Sequence, residues 1–215
     1  MRLLTSAVLA LGIMGATTLA NATPISGTFT VNIWQGDGGG SIGSPGVQAL
    51  PTNPLVTAAN SLGTYTYTGA IDFSNGTNDI LNFLLSAGGS IAEDTTTIDG
   101  TSLSATGFGL TTVMQFLGTT ATGISGSIAH DDGVSLFQGG SNVIDPAAAA
   151  PTALDYTNFS LASGSFGLWY VEANNLPANL TMDVTHAEVP EPATLGLFAL
   201  GLLATGVSAA RRRFS

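Results

Sequence analysis

From Leu3 to Ala210 the chain contains no lysine or arginine; its four basic residues are Arg2 and the cluster Arg211, Arg212 and Arg213. Against them stand 14 aspartates and glutamates, which leave a formal net charge of −10. Nothing folded from this stretch can hold a carboxylate against a lysine or arginine of its own. Each acid must be solvated, capped by backbone amides, or neutralised by a cation from outside. Nucleic acid is thereby excluded as a partner, because no side chain could take up its phosphate charge. A divalent metal is the natural counter-charge to such a set; an acidic soluble surface that binds no metal is the alternative. The chain also lacks cysteine, which excludes disulfides, thiolate metal sites and cysteine nucleophiles. A hydrophobic core must hold the domain, with or without a metal's help.

The basic residues sit where they control targeting. Met1 and Arg2 precede an apolar run from Leu3 to Leu19 and then Ala20-Asn21-Ala22, a small-x-small sequence that suits signal peptidase. We expect a signal peptide over residues 1–22, recognised at Ala20 and Ala22 and cut after Ala22. At the other end Ala193 to Ala210 is free of charge; at 1.5 Å per residue a helix of this length spans about 27 Å, enough to cross a hydrocarbon core. Arg211, Arg212 and Arg213 then belong on the cytoplasmic side and leave the acidic domain outside. The order Val189-Pro190-Glu191-Pro192-Ala193-Thr194, an apolar helix and terminal arginines resembles the PEP-CTERM sorting signal of bacteria that make extracellular polysaccharide. Over residues 187–215 the resemblance implies a membrane helix at 193–210 and processing by exosortase, which would read the extended Pro190-Glu191-Pro192. It also implies an inner-membrane intermediate, then the outer surface or extracellular matrix of a Gram-negative bacterium.

The middle, residues 23–186, is expected to be one domain. Phe29, Val31 and Ile33 alternate with threonines and an asparagine, and Tyr65, Tyr67, Ile71 and Phe73 alternate with polar residues, so both runs read as half-buried strands. Gln35 to Asn60 reads as a long loop. Asn78 to Ala87 puts Ile80, Phe83 and Leu84 on one helical face, with Asn78 as N-cap and Gly88 as stop. Further strands are predicted at 111–117, 124–130, 134–137, 165–172 and 180–184, and Asp145 to Pro151 as an extended loop. Short strands without helices between them predict a mainly β, antiparallel sandwich. No period of repeats points to a solenoid.

The stretch Gly126 to Ile144, GSIAHDDGVSLFQGGSNVI, predicts a hairpin turning at Asp131-Asp132-Gly133 and a second turn at Gly139-Gly140. With the following SGSFGLWYVEANNLPANLTMDV it resembles the PA14 and GLEYA-like β-sandwich families, at Asp131, Asp132, Gly133, Gly140, Val143, Ile144, Tyr170 and Glu172. In sugar-binding members of that group an adjacent aspartate pair holds calcium that also touches sugar hydroxyls, so the resemblance implies this role for Asp131 and Asp132. Calcium takes roughly six to eight oxygens, and Asn142, or Asn174 and Asn175, are the expected further donors.

Other patterns imply less. Gly38, Gly40 and Gly43 spell G-x-G-x-x-G, but Ser44-Pro45-Gly46 follows where a pyrophosphate-binding helix is required. His130 is expected to flank the turn rather than bind metal. Thr64, Thr66 and Thr68 read as the solvent face of a strand, and at least two of Trp34, Trp169 and Tyr170 as core. No organised nucleophile is present, and neighbouring aspartates on an extended chain point to opposite faces, which argues against an acid–base pair. The expected protein is therefore an exported surface or matrix module that binds glycan through calcium, with exopolysaccharide as partner and no catalytic residue. A purely structural matrix protein is the second reading, and a polysaccharide-acting enzyme the third.

Overall fold

The computed structural model describes residues 22–185. The signal segment with Ala20, the motif Pro190-Glu191-Pro192, the apolar segment 193–210 and Arg211, Arg212 and Arg213 lie outside the described residues. Ala22 opens the first strand.

Among the described residues twelve strands form two antiparallel sheets. The smaller contains β1 (Ala22–Pro24), β12 (Ala178–Thr185), β7 (Ile124–Asp131) and β10 (Asp155–Leu161) in that order, with β4 (Asp72–Asn75) also pairing to β12. The larger runs β5 (Ser90–Ile91), β3 (Ser61–Ala70), β2 (Ser26–Gly36), β6 (Thr111–Thr120), β11 (Gly164–Glu172), β8 (Gly133–Gln138) and β9 (Ser141–Asn142). Period-two alternation puts Phe29, Val31 and Ile33 of β2 and Leu180, Met182 and Val184 of β12 into one shared core. Phe73 is its aromatic hub, 5.3 Å from Phe83 and 5.5 Å from Phe116 between ring centres.

The larger sheet is buried on both faces around β11, because the segment after β2 folds back over it. Val47, Ala49 and Leu55 of that segment cover Val113, Trp169 and Val171. The Gly-rich pattern there serves close packing: a Cβ on Gly38 would lie 2.6 Å from Val47 and 2.7 Å from the Phe108 carbonyl.

The predicted strands at 111–117, 124–130, 134–137, 165–172 and 180–184 are all present. Four expectations are corrected. The strand expected to run through Phe73 breaks at Ile71, whose N–H donates to Ile25 O and whose carbonyl accepts from Met182 N, so the chain passes into the other sheet. The helix α1 is Ile80–Leu85 and its N-cap is Asp79, which accepts from Asn82 N at 2.7 Å; Asn78 instead binds the 103–104 backbone. Asp145 to Pro151 is no extended loop, since Asp145 caps a single 3₁₀ turn at Pro146–Ala149. Lastly, Asp131-Asp132-Gly133 is not a hairpin turn: β7 pairs with β10 and β12 in the smaller sheet, whereas β8 pairs with β11 and β9 in the larger. The second turn does form, with Gly139 and Gly140 at φ 58° and 82° joining β8 to β9.

Candidate functional site

The sheet crossover is where Asp131 and Asp132 stand. Their backbone is gripped from below by buried side chains. The Asp132 carbonyl accepts from His130 Nδ1 at 2.6 Å, and since a carbonyl can only accept, Nδ1 carries the hydrogen; Nε2 then faces the Thr157 hydroxyl at 3.2 Å as acceptor. His130 is fully buried with both nitrogens occupied, so it serves the backbone and not a ligand. The Asp131 carbonyl accepts from the Tyr170 hydroxyl. Gly133 allows the crossover to close, because a Cβ there would sit 2.4 Å from the Ala149 carbonyl oxygen.

Tyr170 Oη also lies 2.9 Å from Glu172 Oε2. One hydroxyl hydrogen cannot serve both acceptors, so with the tyrosine donating to Asp131 O, Glu172 must donate to Tyr170. Glu172 is fully buried and its carboxyl is pushed up to about 9, first by desolvation and then by the nearby charge of Asp132. Ser104 Oγ donates to Glu172 Oε1 at 2.9 Å and accepts from Asn175 N at 2.8 Å. Donors thus run one way, from Asn175 N–H through Ser104, Glu172 and Tyr170 to Asp131 O, and each group is satisfied.

The carboxylates of the pair are treated differently. Asp132 Oδ2 accepts from Ala173 N at 2.8 Å and Asn174 N at 3.2 Å, while Oδ1 has no partner among the described residues. Neither oxygen of Asp131 has one. Desolvation raises both, Asp132 to about 6. Both side chains line one cleft of about 290 Å³ with Phe108, Asn174, Asn175 and Pro177. Both residues border this cleft where the chain changes sheets, and the peptide bond joining them is cis. Phe108 (φ 62°) and Asn175 (φ 71°), the described non-glycine residues with positive φ, both line this cleft, and such strain gathers where a site is held in shape. Asp131 also borders a second cleft of about 240 Å³ beside Asn179, whose buried Oδ1 has no partner. Pro151 and Thr152 join the first cleft to a longer one of about 520 Å³ beside Tyr156, which is 66% exposed.

Of the expected further donors, Asn174 and Asn175 reach the cleft. Asn142 does not line it: its Oδ1 accepts from Leu136 N and Ile144 N, each at 3.3 Å, and fixes the β8–β9 hairpin. Among the described residues no three His, Cys, Asp or Glu gather as a metal site, so a cation would take oxygens beyond the aspartates from amides, carbonyls or ligand. Ser104 and Thr157 were not readable as site residues. No local pattern marks them, since they join the network across 68 and 27 positions.

Comparison with solved structures settles the architecture. The PA14 sugar-binding domain from an RTX adhesin superposes with a TM-score of 0.50 at 13% identity, over 76% of this chain and 100% of that one. The fold is PA14-like. The PA14 domain of the antifreeze protein MpAFP covers 81% of this chain and 90% of its own at 15% identity, with a TM-score of 0.46. Residues 188–213 match the PEP-CTERM protein-sorting motif. No curated protein matches the chain by sequence.

Proposed function

We propose that this PA14-like domain is an exported glycan-binding or adhesion module that holds calcium at Asp131 and Asp132, and that exosortase processes its tail. The observation that carries the reading is the division of labour at the crossover: buried His130 and Tyr170 hold the backbone of the pair, while both aspartates line the cleft and three of their four carboxylate oxygens have no protein partner among the described residues. No lysine or arginine between Leu3 and Ala210 can neutralise them. A hard dication suits that oxygen set, and when bound it would offer open coordination positions to vicinal sugar hydroxyls. The chain's part is to fix Asp131 and Asp132, to present the Asn175 amide, and to line the adjoining clefts with Tyr156 and Pro151. The likeness to an adhesin's sugar-binding domain and the tail motif support this reading of fold and address.

Calorimetry of the purified chain tests it. Calcium at about a hundred times its dissociation constant adds about 2.7 kcal/mol, a rise of roughly 5–10 °C for a domain of this size. Asp131→Asn should abolish the rise with little change in the melting temperature in chelator, because the Asp131 carboxylate makes no internal hydrogen bond. Equal behaviour of wild type and variant would discard the metal site and leave a structural matrix protein. A glycan array with and without calcium reads the ligand, and hydrolysis of an arrayed polysaccharide would overturn the non-enzymatic reading. For the tail, Glu191→Ala should leave the protein in the inner membrane, whereas unchanged release would count against sorting.

A further inference from the structure

The outward face of the larger sheet carries a second feature, away from the crossover. Ser165, Gly167 and Trp169 alternate along the outer side of β11. In register, Gly167 lies between Leu117 of β6 and Phe137 of β8. The missing side chain makes a slot in the middle of a seven-stranded sheet, walled by Leu117 and Phe137 across the strands and by Trp169 and Ser165 along them. It is part of a shallow groove of about 480 Å³ that Pro51 and Gln115 also line.

Packing does not require glycine here. A Cβ on Gly167 would meet nothing nearer than Leu117 Cδ2 at 3.4 Å, and its φ is not in the left-handed region. Glycine inside a strand is unfavourable and often marks the close approach of a ligand or another backbone. A second observation points to a ligand. Trp169 is only 5% exposed, yet its Nε1–H has no hydrogen-bond partner among the described residues; it lies 3.9 Å from the Gly167 Cβ position, facing the slot. Beside it Gln115 Oε1 accepts from Asn32 Nδ2 at 2.9 Å, which turns its NH₂ to the same position at 3.8 Å, also unpartnered. Trp34 stacks on Trp169 at 5.8 Å and 14° and holds the indole plane.

We propose that this slot is a second, calcium-independent binding site for a neutral pyranose unit. Its two unpartnered nitrogens, Trp169 Nε1 and Gln115 Nε2, are donors, so the ligand must present acceptors to them. Leu117, Phe137 and Pro51 ask for an apolar C–H face on the same ligand. The chain's net charge of −10 and its lack of cations on this face disfavour an anionic sugar. A flat neutral sugar ring, with hydroxyl oxygens on its rim and C–H groups on its face, meets all three conditions. It lies over the bare Gly167 backbone.

The test follows the Trp169 indole N–H by NMR, assigned with Trp34→Phe, in the purified chain held in a detergent without sugar headgroups and with chelator present. Maltohexaose, cellohexaose and mannohexaose are the probes. At least one should move the signal saturably, equally in Asp131→Asn. Gly167→Val should weaken that binding at least about tenfold, and Gly167→Ala should weaken it without lowering the melting temperature. A signal that no probe moves, or one that moves alike in Gly167→Val, overturns the site. A proline-rich peptide moving the signal where no saccharide does would overturn the sugar assignment. None of these outcomes bears on calcium at the crossover, which the Asp131→Asn calorimetry reads separately.

Discussion

At the level of single residues the site rests on an acid that keeps its proton. Glu172 sits at about 9 against an ordinary 4.5, raised first by burial and then by Asp132. A folded-state value above the unfolded one means that the stabilisation is fully present below about pH 4.5 and is lost as pH rises through 9. Asp132, raised to about 6, adds a smaller loss in the same direction between its ordinary 3.8 and that value. In chelator, stability should therefore fall from pH 5 to pH 9, with Glu172 contributing up to about 1.4 kcal/mol per pH unit. Glu172→Gln keeps an acceptor for Ser104 and a donor for Tyr170 without the proton to lose. Urea midpoints at pH 5, 7 and 9 should show a much flatter slope in the variant. Parallel slopes in the two proteins would mean that Glu172 is ionised in the fold.

At the level of elements, what could be read from the sequence and what could not divide along a physical line. Strands with one buried face announce themselves, as β2 and β12 do through strict alternation. The Gly139-Gly140 turn does so as well, because two residues with positive φ leave little choice of sequence. The partner of a strand is not written locally: an Asp-Asp-Gly run suits a hairpin and a sheet crossover equally, and only the pairing of β7 and β8 with different neighbours decides. β10 was missed although Thr157, Phe159 and Leu161 alternate into the core, because polar residues between Asp155 and Ser160 mask a run with just two large apolar side chains. Asp131, Asp132, Tyr170 and Glu172 were named through resemblance; the Ser104 hydroxyl that completes the support was not, because it comes from a separate segment 68 positions from Glu172. The crossover is accordingly the element to break. Gly133→Ala drives a methyl into the Ala149 carbonyl, a backbone atom that cannot step aside. It should cost about 1–3 kcal/mol and shrink the calcium-dependent rise in melting temperature, because the aspartates move with the strand. Loss of stability with a calcium response of full size would show that the pair is held without the crossover.

For the whole molecule the governing fact is charge of one sign. All but two of the 14 acids fall between Asp37 and Asp183, and no lysine or arginine lies among them. The fold neutralises only part of this. Asp79, Asp132, Asp145 and Asp155 accept from backbone amides, and Glu172 keeps its proton, while Asp72, Asp155 and others face solvent. Their mutual repulsion is present in the compact state and relaxed when the chain expands. Ions screen it, with a Debye length falling from about 30 Å at 0.01 M to about 8 Å at 0.15 M salt. Sodium chloride should therefore raise the melting temperature across that range at pH 7 with chelator present, the reverse of a protein whose surface is laced with ion pairs. Lowering the pH to 5 should shrink the salt effect as the raised carboxyls take up protons. Calcium should shrink it too, through the pair at the crossover. A melting temperature that falls as salt is added would show that attraction governs the acidic surface.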